Sequence, residues 1–387
     1  MAPFDATVVK RLKEHGNAVI VGKTNMDEFG MGNTNLNSHY GPARHPGRRL
    51  VSGGSSGGSA IAVAEDLCDL AVGSDTGGSV RLPAAYLNVL GFKPSYGRIS
   101  RYGLVSYASS LDTIGFLAKD LDMLEKALLW TGSAPLDSAN DETNTLSSNP
   151  SLHSPVSSKL RIGYCKGLLD LCDPGIARDL EAGYSKLSQS MDLVPINLRD
   201  LLQPTLPAYY IISCSEAASC LARYDGKSQF YGTCLDASSL PRSAFKSPSD
   251  RVDAIWKEGF GATVYNRLKL GQWVSSQSNW LDNYHAARQL RTSLTASMDE
   301  LFHAERLDCL LIPTVPKLVT EVEAEGMIGC ENEWLRSLLS TGSSLFSRQP
   351  EFEQCSSWTQ DLFTVSSSLT GNTENMTIEM LMIYCGI

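Results

Sequence analysis

The hydrophobic residues of the first 130 positions alternate between helical spacing and short continuous runs. Segment 5–16 carries apolar residues at helical spacing and ends at a glycine, and the small apolar residues of segment 59–67 predict a second helix. Segments 18–22 and 69–73 are short apolar runs and predict buried strands. This succession of strand, helix and strand favours an α/β fold in which helices pack against a sheet.

The pattern changes at residue 131. Residues 131–158 are rich in Ser, Asn, Pro and Thr, which is typical of a long surface loop. Apolar spacing then again predicts regular elements, although residues 320–360 show no pattern that predicts one. The remaining predicted elements are strands at 160–164 and 307–312 and helices at 122–129, 174–191, 207–223 and 280–303.

The composition indicates a soluble globular protein. The chain of 387 residues is 42% hydrophobic and 19% charged, which fits a sizeable core. Since no apolar run reaches the roughly 18 residues of a membrane span, no contact with a membrane is expected. The formal net charge of −9 argues against a protein that binds nucleic acid on its own, but not against an RNA held by another protein of a complex.

The cysteines and the amino terminus exclude several further classes. The ten cysteines are scattered without a C-x-x-C pair, so a zinc ribbon or a thioredoxin-like motif is not supported. The pattern is typical of reduced, buried thiols in an intracellular compartment. No H-E-x-x-H motif occurs, so no metal site is expected. The first residues have neither the apolar core of a signal peptide nor the Arg/Ser-rich character of a transit peptide.

Two glycine-rich turns, at 53–59 and 73–83, carry the candidate chemistry. Each turn adjoins apolar sequence, and glycine permits backbone conformations and close approaches that side chains forbid. Ser55 and Ser79 lie within these turns. Two hydroxyls together with a row of backbone N–H groups are the elements of an acyl-transfer site.

Three other interpretations of the turns account for less of the sequence. A flexible linker fits 53–59 alone but not the second turn, which reads Gly-x-Asp-x-Gly-Gly-Ser-x-Arg-x-Pro. A phosphate-binding loop needs a lysine after its glycine spacer, and neither turn has one. Residues 53–57 do fit the nucleophile-elbow pattern G-x-S-x-G. However, no clear strand precedes them, and none of the six histidines lies in a trypsin-like context.

The two turns, at this spacing, resemble the amidase signature family, which uses a Ser–Ser–Lys triad. The resemblance implies a mixed sheet core of the amidase-signature type, covered by helices on both faces. It implies that Ser79 is the nucleophile that forms the acyl ester. Ser55 is then the bridging serine, which in the family lies on a cis peptide bond. The backbone N–H groups of Thr76, Gly77 and Gly78, with that of Ser79, are expected to form the oxyanion hole.

Asp75 and Arg81 flank this turn with opposite charges. One interpretation is direct contact with the substrate. The other, which a buried Asp–Arg combination favours, is an ion pair that holds the shape of the turn.

Segments 22–32, 100–112 and 215–226 narrow the resemblance to one branch of the family, the amidase components of tRNA-dependent amidotransferases. The similarity is dense over residues 3–130, patchier over 160–315 and weak beyond. It implies that the chain divides into a core with both serines (1–130), a surface loop (131–158) and the remainder of the amidase domain with the substrate-side helices (159–387).

The branch also implies a substrate, free glutamine, and residues that bind it. Arg267 is expected to bind the α-carboxylate, because a forked guanidinium suits that group. Tyr209 matches a tyrosine near the glutamine, and Asp361 matches an aspartate that holds the α-amino group.

In this branch the ammonia passes to the amidotransferase B subunit, which uses ATP and magnesium to convert glutamyl-tRNA(Gln) to glutaminyl-tRNA(Gln). A small third subunit completes the complex. We therefore expect no cofactor in this chain, ATP and magnesium in the B subunit, and contact with the tRNA mainly through the B subunit. The long Ser/Asn-rich insertions suggest an organellar version, so the mitochondrial matrix is expected, and otherwise the cytoplasm. The alternatives are a stand-alone amidase for another small amide, or a catalytically impaired assembly subunit.

The chain departs from the family pattern in two places. The family's triad lysine lies upstream of the segment with which this chain begins, so we expect no counterpart here. Lys23 and Lys93 belong to other motifs of the family, and neither is interpreted as the base. Beyond Asp361 the family continues with a Gly-Leu-Pro motif that this chain lacks. From these departures we expect a core sheet that is incomplete at both ends.

Overall fold

The computed structural model describes residues 3–44, 50–132, 135–144, 159–224, 247–316, 359–367 and 378–386, the last two segments as backbone only. Within them lie the eight strands of a single sheet. The strands are β1 (Leu70–Asp75), β2 (Leu90–Lys93), β3 (Thr113–Ala118), β4 (Arg161–Tyr164), β5 (Asp192–Pro195), β6 (Cys309–Pro313), β7 (Thr359–Ser367) and β8 (Ile378–Gly386).

Eleven α-helices occur in the same described segments. A short 3-10 turn, Glu28–Gly30, precedes the second helix, and a π-helical turn, Leu281–His285, precedes the last. The helices are α1 (Thr7–Gly16), α2 (Gly57–Ala64), α3 (Arg81–Leu87), α4 (Leu121–Gly132), α5 (Lys166–Leu169), α6 (Pro174–Leu187), α7 (Arg199–Leu202), α8 (Thr205–Leu221), α9 (Pro248–Gly259), α10 (Ala262–Val274) and α11 (Ala286–Glu305).

The sheet is mixed, as the family resemblance implies. Its strand order is β1-β3-β2-β7-β8-β6-β4-β5. Neighbouring strands are antiparallel along the first six positions of this order, from β1 to β6. The last three strands are parallel, since β4 pairs in parallel with both β6 and β5. β7 and β8 therefore join an antiparallel half, which carries both serine turns, to a parallel half.

Helices cover both faces of the antiparallel half, because successive side chains of a strand point to opposite faces. Phe116 of β3 packs in one cluster with Leu12 of α1 and Leu124 of α4. The next residue, Leu117, packs in another cluster with Ala60 of α2 and Ala84 of α3. The expectation of a sheet core with helices on both faces is confirmed.

The prediction of a strand at 18–22 is wrong. This segment forms no strand and pairs with no described strand. Val19 and Val21 are 84% and 75% exposed. A short apolar run predicts burial only if a neighbouring strand covers it, and the pattern of one segment does not contain that information. Helix α1 also begins later than predicted, at Thr7, and Asp5 accepts a 2.7 Å bond from Lys13.

Residues 135–144 are the described part of the predicted surface loop. Two of their aspartates hydrogen-bond to the core. Asp137 accepts hydrogen bonds from Thr7 (2.5 Å) and Ser100 (2.6 Å), and Asp141 accepts one from the N–H of Arg101 (2.7 Å). Residues 145–158 and most of the unassigned segment 320–360 lie outside the described residues. The division of the chain at 130 and 158 stays a prediction.

Candidate active site

The two serine turns lie against each other. Strand β1 ends at Asp75 and leads into the turn that carries Ser79, while Ser55 lies just before helix α2. The N–H of Ser56 donates a 3.0 Å hydrogen bond to the carbonyl of Ser79, and the Ser56 hydroxyl donates to the carbonyl of Ser74. These backbone contacts bring Ser55 and Ser79 to the same edge of the sheet.

Asp75 organises the turn that carries Ser79. Its carboxylate accepts the N–H groups of Gly78 (2.7 Å) and Val80 (3.1 Å). It also forms a two-pronged ion pair with Arg81, with distances of 3.1 and 2.9 Å to Nε and Nη2. Both side chains are fully buried. Burial alone would raise the pKa of Asp75, but Arg81 and the backbone donors hold it below its ordinary value. The flanking charges therefore form the ion pair that shapes the turn.

The expected oxyanion donors differ in their availability. Gly78 has φ +112°, which glycine tolerates, and its N–H points at Asp75. This contact differs from the expectation that Gly78 offers its N–H to a substrate. Among the described residues, the N–H groups of Thr76, Gly77 and Ser79 have no hydrogen-bond acceptor. These amides are consequently the donors left for a developing oxyanion.

Ser55 is enclosed by the segment that precedes it. The Gly54–Ser55 peptide bond is cis. Ser55 is fully buried, and its Oγ has no hydrogen-bond partner among the described residues. Neither Lys23, which is exposed, nor Lys93, which donates to the Pro94 carbonyl at 3.0 Å, bonds to it. A buried hydroxyl without a partner is costly, and that of Ser55 is left available to accept or donate a hydrogen bond.

Asp27 contacts both residues of the Gly54–Ser55 peptide. Its N–H donates to the Ser55 carbonyl at 3.2 Å, and a Cβ on Gly54 would overlap its Oδ2. Its carboxylate accepts the N–H groups of Asn35 (2.9 Å) and Asn37 (3.1 Å). Burial raises the pKa of Asp27 to about 6, although these amides and the charge of Arg267 oppose the rise.

Tyrosines surround Arg267. Its Nη1 donates to the hydroxyl of Tyr107 at 3.0 Å, and its guanidinium lies 5.4 Å from the centre of the Tyr210 ring. Tyr209 is buried beside Tyr107, and burial raises its pKa well above the ordinary value. We call these four residues, Tyr107, Tyr209, Tyr210 and Arg267, the arginine cluster.

Close packing of two helices places Arg267 in this cluster. A Cβ on Gly271 of α10 would overlap the Cys214 carbonyl of α8, so the backbones touch at this point. Arg267 and Tyr210 each lie one helical turn before that contact, and the guanidinium lies 5.4 Å from the ring centre.

A buried carboxylate joins the arginine cluster to the Ser79 turn. Asp112 accepts the hydroxyl of Thr76 (2.7 Å) and the N–H groups of Tyr107 (2.8 Å) and Ala108 (3.0 Å). Burial raises the pKa of Asp112 to about 6.

Sequence reasoning selected Arg267 and Tyr209 but missed Tyr107, Asp27 and Asp112. All three lie in the segments that carry the family resemblance, 22–32 and 100–112, so their location was visible. Their partners lie up to 160 residues away, and no sequence spacing indicates those contacts. Asp361 lies in β7 opposite Tyr384 of β8, and its side chain lies outside what the structure describes.

The described segments offer neither a metal site nor a membrane helix. No group of three or more His, Cys, Asp and Glu side chains in them is arranged to hold a metal ion. No helix in this part of the chain is both long and apolar enough to cross a membrane.

A family model described as Amidase matches residues 1–343. The chain is 39% identical over 321 residues to the A subunit of glutamyl-tRNA(Gln) amidotransferase from Saccharolobus solfataricus and spans 64% of that relative's length. It is 39% identical over 390 residues to the mitochondrial A subunit of the same enzyme from Fusarium vanettenii, of which it spans 73%.

Solved structures share the fold. The crystal structure of the A subunit of glutamyl-tRNA(Gln) amidotransferase from Thermotoga maritima matches 99% of this chain, with 73% of that chain covered, a TM-score of 0.73 and 26% identity. A crystal structure of an amidase matches 100% of this chain and 75% of its own, with a TM-score of 0.71 and 22% identity, which supports the fold alone.

Proposed function

Because the chain belongs to the amidase family, we propose that it is the glutaminase subunit of a glutamyl-tRNA(Gln) amidotransferase. The observation that carries this proposal is the position of the arginine cluster. A half-buried guanidinium held by Tyr107 and Tyr210 is a site for a carboxylate. It is joined through Asp112 to the turn that carries Ser79. An amide substrate that also bears a carboxylate, such as glutamine, fits this combination.

The proposed reaction starts with attack of Ser79 Oγ on the side-chain carbonyl carbon of glutamine. As the C–O bond forms, Ser55 Oγ accepts the proton of Ser79 while the Ser55 hydroxyl gives its own proton to a base, the role of the triad lysine in the family, which no described residue bonded to Ser55 fills. That base supplies the proton for the leaving nitrogen. The N–H groups of Thr76, Gly77 and Ser79 stabilise the negative charge on the former carbonyl oxygen. The C–N bond then breaks, a proton passes to the nitrogen, and ammonia leaves. Water hydrolyses the ester, which releases glutamate and restores the Ser79 hydroxyl.

The substrate-binding residues have separate tasks in this proposal. Arg267 pairs with the α-carboxylate, and Tyr209 forms part of the wall beside it. Asp361 holds the α-amino group. These contacts fix the distance between the carboxylate and the reacting amide, which places the amide carbon next to Ser79.

Ammonia would be consumed by a partner. We propose that the amidotransferase B subunit uses ATP and magnesium to activate glutamyl-tRNA(Gln), that it carries most of the contact with the tRNA, and that a small third subunit completes the complex. The net charge of −9 fits a chain that leaves RNA binding to its partner. Relatives named as mitochondrial support the mitochondrial matrix as the place of action.

The test combines labelling with turnover. A diazoketone analogue of glutamine should add to Ser79, located by peptide mass spectrometry, and the Ser79→Ala variant should carry no label. With the B subunit present, L-glutamine should yield equal amounts of glutamate and ammonia. A label on another residue, or equal turnover of a primary amide without a carboxylate, would overturn the proposal and favour a stand-alone amidase. Labelling without turnover would favour the catalytically impaired assembly subunit.

A further inference from the structure

The segment between Asp27 and Asn37 contacts both halves of the proposed site. On one side, Asp27 donates its N–H to the carbonyl of Ser55 at 3.2 Å. The next residue, Glu28, points away from Ser55, and its Oε2 accepts the N–H of Gly261 at 2.8 Å. Two adjacent residues thus bond to the bridging serine and to a helix 233 positions further along the chain.

Gly261 is the residue that caps the amino-terminal end of α10. The first N–H groups of a helix have no partner within the helix, and a negative charge there is favourable. Helix α10 has no acidic residue of its own in its first turn, so among the described contacts Glu28 brings the negative charge to this end. A second contact, from the Thr263 hydroxyl to the Asn37 side chain at 3.2 Å, joins the same two elements.

Glycine at 261 permits this contact. A Cβ at that position would lie 2.7 Å from Glu28 Oε2, so a larger residue would displace the carboxylate. The ring of Phe29 lies edge-on against those of Tyr224 and Phe260, which holds the Glu28–Gly30 turn against the helical half.

We propose that Glu28 is a positioning residue that fixes the amino-terminal end of α10, and through it Arg267, relative to the Ser55 turn. Arg267 lies in the second turn of α10, so a shift of the first turn moves the guanidinium. The inference rests on the proposed function, because it assigns Glu28 to the placement of the substrate carboxylate. Glu28 does not touch the substrate; it acts through Gly261 and the helix.

The kinetic test compares Glu28→Ala, Glu28→Gln and the control Glu14→Ala in the complex with the B subunit. Glu14 is an exposed glutamate of α1 that lies 3.9 Å from Lys10. Glu28→Ala should raise the KM for glutamine by about tenfold with kcat within about threefold of wild type, the effect expected for a lost hydrogen bond to a charged group. Glu28→Gln keeps an acceptor oxygen and should recover most of the affinity. Glu14→Ala should match wild type.

A double variant tests the route of the effect. If Glu28 acts through Arg267, then Glu28→Ala should add nothing to Arg267→Ala, because the two changes remove one function. Additive losses, or a fall in kcat at unchanged KM, would overturn the inference.

A second measurement is independent of the substrate. Amide hydrogen exchange in residues 261–266 should be faster in Glu28→Ala than in wild type and unchanged in Glu14→Ala. Unchanged exchange in Glu28→Ala would overturn the inference whatever the kinetics. If the wild-type complex leaves glutamine intact, the proposed function fails, and exchange in this segment alone decides the role of Glu28.

Discussion

The Thr76 hydroxyl donates a 2.7 Å hydrogen bond to the carboxylate of Asp112, which lies 36 residues further along the chain. Thr76 contributes one of the free N–H groups of the Ser79 turn. The same carboxylate accepts the N–H of Tyr107, whose hydroxyl accepts from Arg267. The buried carboxylate of Asp112 therefore lies between the proposed oxyanion donors and the proposed carboxylate site. Its hydrogen bonds hold both sites in fixed positions relative to each other.

Replacing Asp112 by Asn should impair activity more than folding. The amide nitrogen of Asn cannot accept a hydrogen bond, so at least one N–H or hydroxyl now bound by Asp112 loses its acceptor. The folding free energy at pH 7 should change by no more than about 1 kcal/mol, because the loss of a buried charge offsets weaker hydrogen bonds. The kcat/KM for glutamine should fall about tenfold or more. Urea unfolding and steady-state kinetics measure the two effects, and Asp69→Asn, at an exposed position, is the control.

The same carboxylate should make stability depend on pH. Burial raises the pKa of Asp112 from 3.8 to about 6, so the folded protein binds this proton more tightly than the unfolded chain. The resulting stabilisation is fully present below about pH 4 and is lost as the pH rises through 6. Relative to Asp112→Asn, the wild type should gain about 2 kcal/mol between pH 7 and pH 4. Unfolding curves at both pH values measure this difference, and a parallel pH dependence of the two proteins would contradict the assignment.

Removing the hydroxyl of Tyr107 should weaken glutamine binding. In Tyr107→Phe, Arg267 loses its 3.0 Å hydrogen bond but keeps its charge and its contact with the Tyr210 ring. The KM for glutamine should rise about threefold to tenfold, with kcat within about twofold of wild type. Tyr40→Phe, at a position that is 89% exposed, is the matched control. An equal loss for a primary amide that lacks a carboxylate would show that Tyr107 acts on the reacting centre instead.

The sequence predicted the chemical groups better than their arrangement. The spacing of Ser55 and Ser79 within glycine turns was sufficient to indicate acyl transfer, because those turns are local. The mixed sheet followed from the family resemblance, whereas periodicity alone missed β2 and β3. Val19 and Val21 were predicted to be buried but are exposed, since burial depends on a neighbouring strand.

The contacts that define the site are long-range and therefore invisible in the pattern. Glu28 and Gly261 meet across 233 positions, and Arg267 and Tyr107 meet across 160. The sequence also does not indicate which of the expected oxyanion N–H groups are free. The glycine pattern at 77–78 indicates a turn but does not say that the N–H of Gly78 belongs to Asp75.

A methyl group at Gly54 should disrupt the Ser55 turn. Its Cβ would overlap Asp27 Oδ2 and approach the backbone of Thr34 at 2.8 Å, where nothing can move easily. Gly54→Ala should cost about 1–3 kcal/mol of folding free energy and lower the labelling of Ser79. Gly22→Ala is the control, because a Cβ there meets nothing within 4 Å. Equal stability of the two variants would contradict the tight packing around Asp27.

Breaking the ion pair behind Ser79 should be the most damaging of these changes. Arg81 and Asp75 are both fully buried, so Arg81→Met leaves a carboxylate without its main counter-charge. The expected loss of folding free energy is about 3–5 kcal/mol, and the pKa of Asp75 should rise above its ordinary value. Lys13→Met removes an exposed partner of Asp5 and should cost less than about 1 kcal/mol. Urea unfolding at pH 7 compares the two, and similar losses would mean that the buried pair contributes no more than an exposed one.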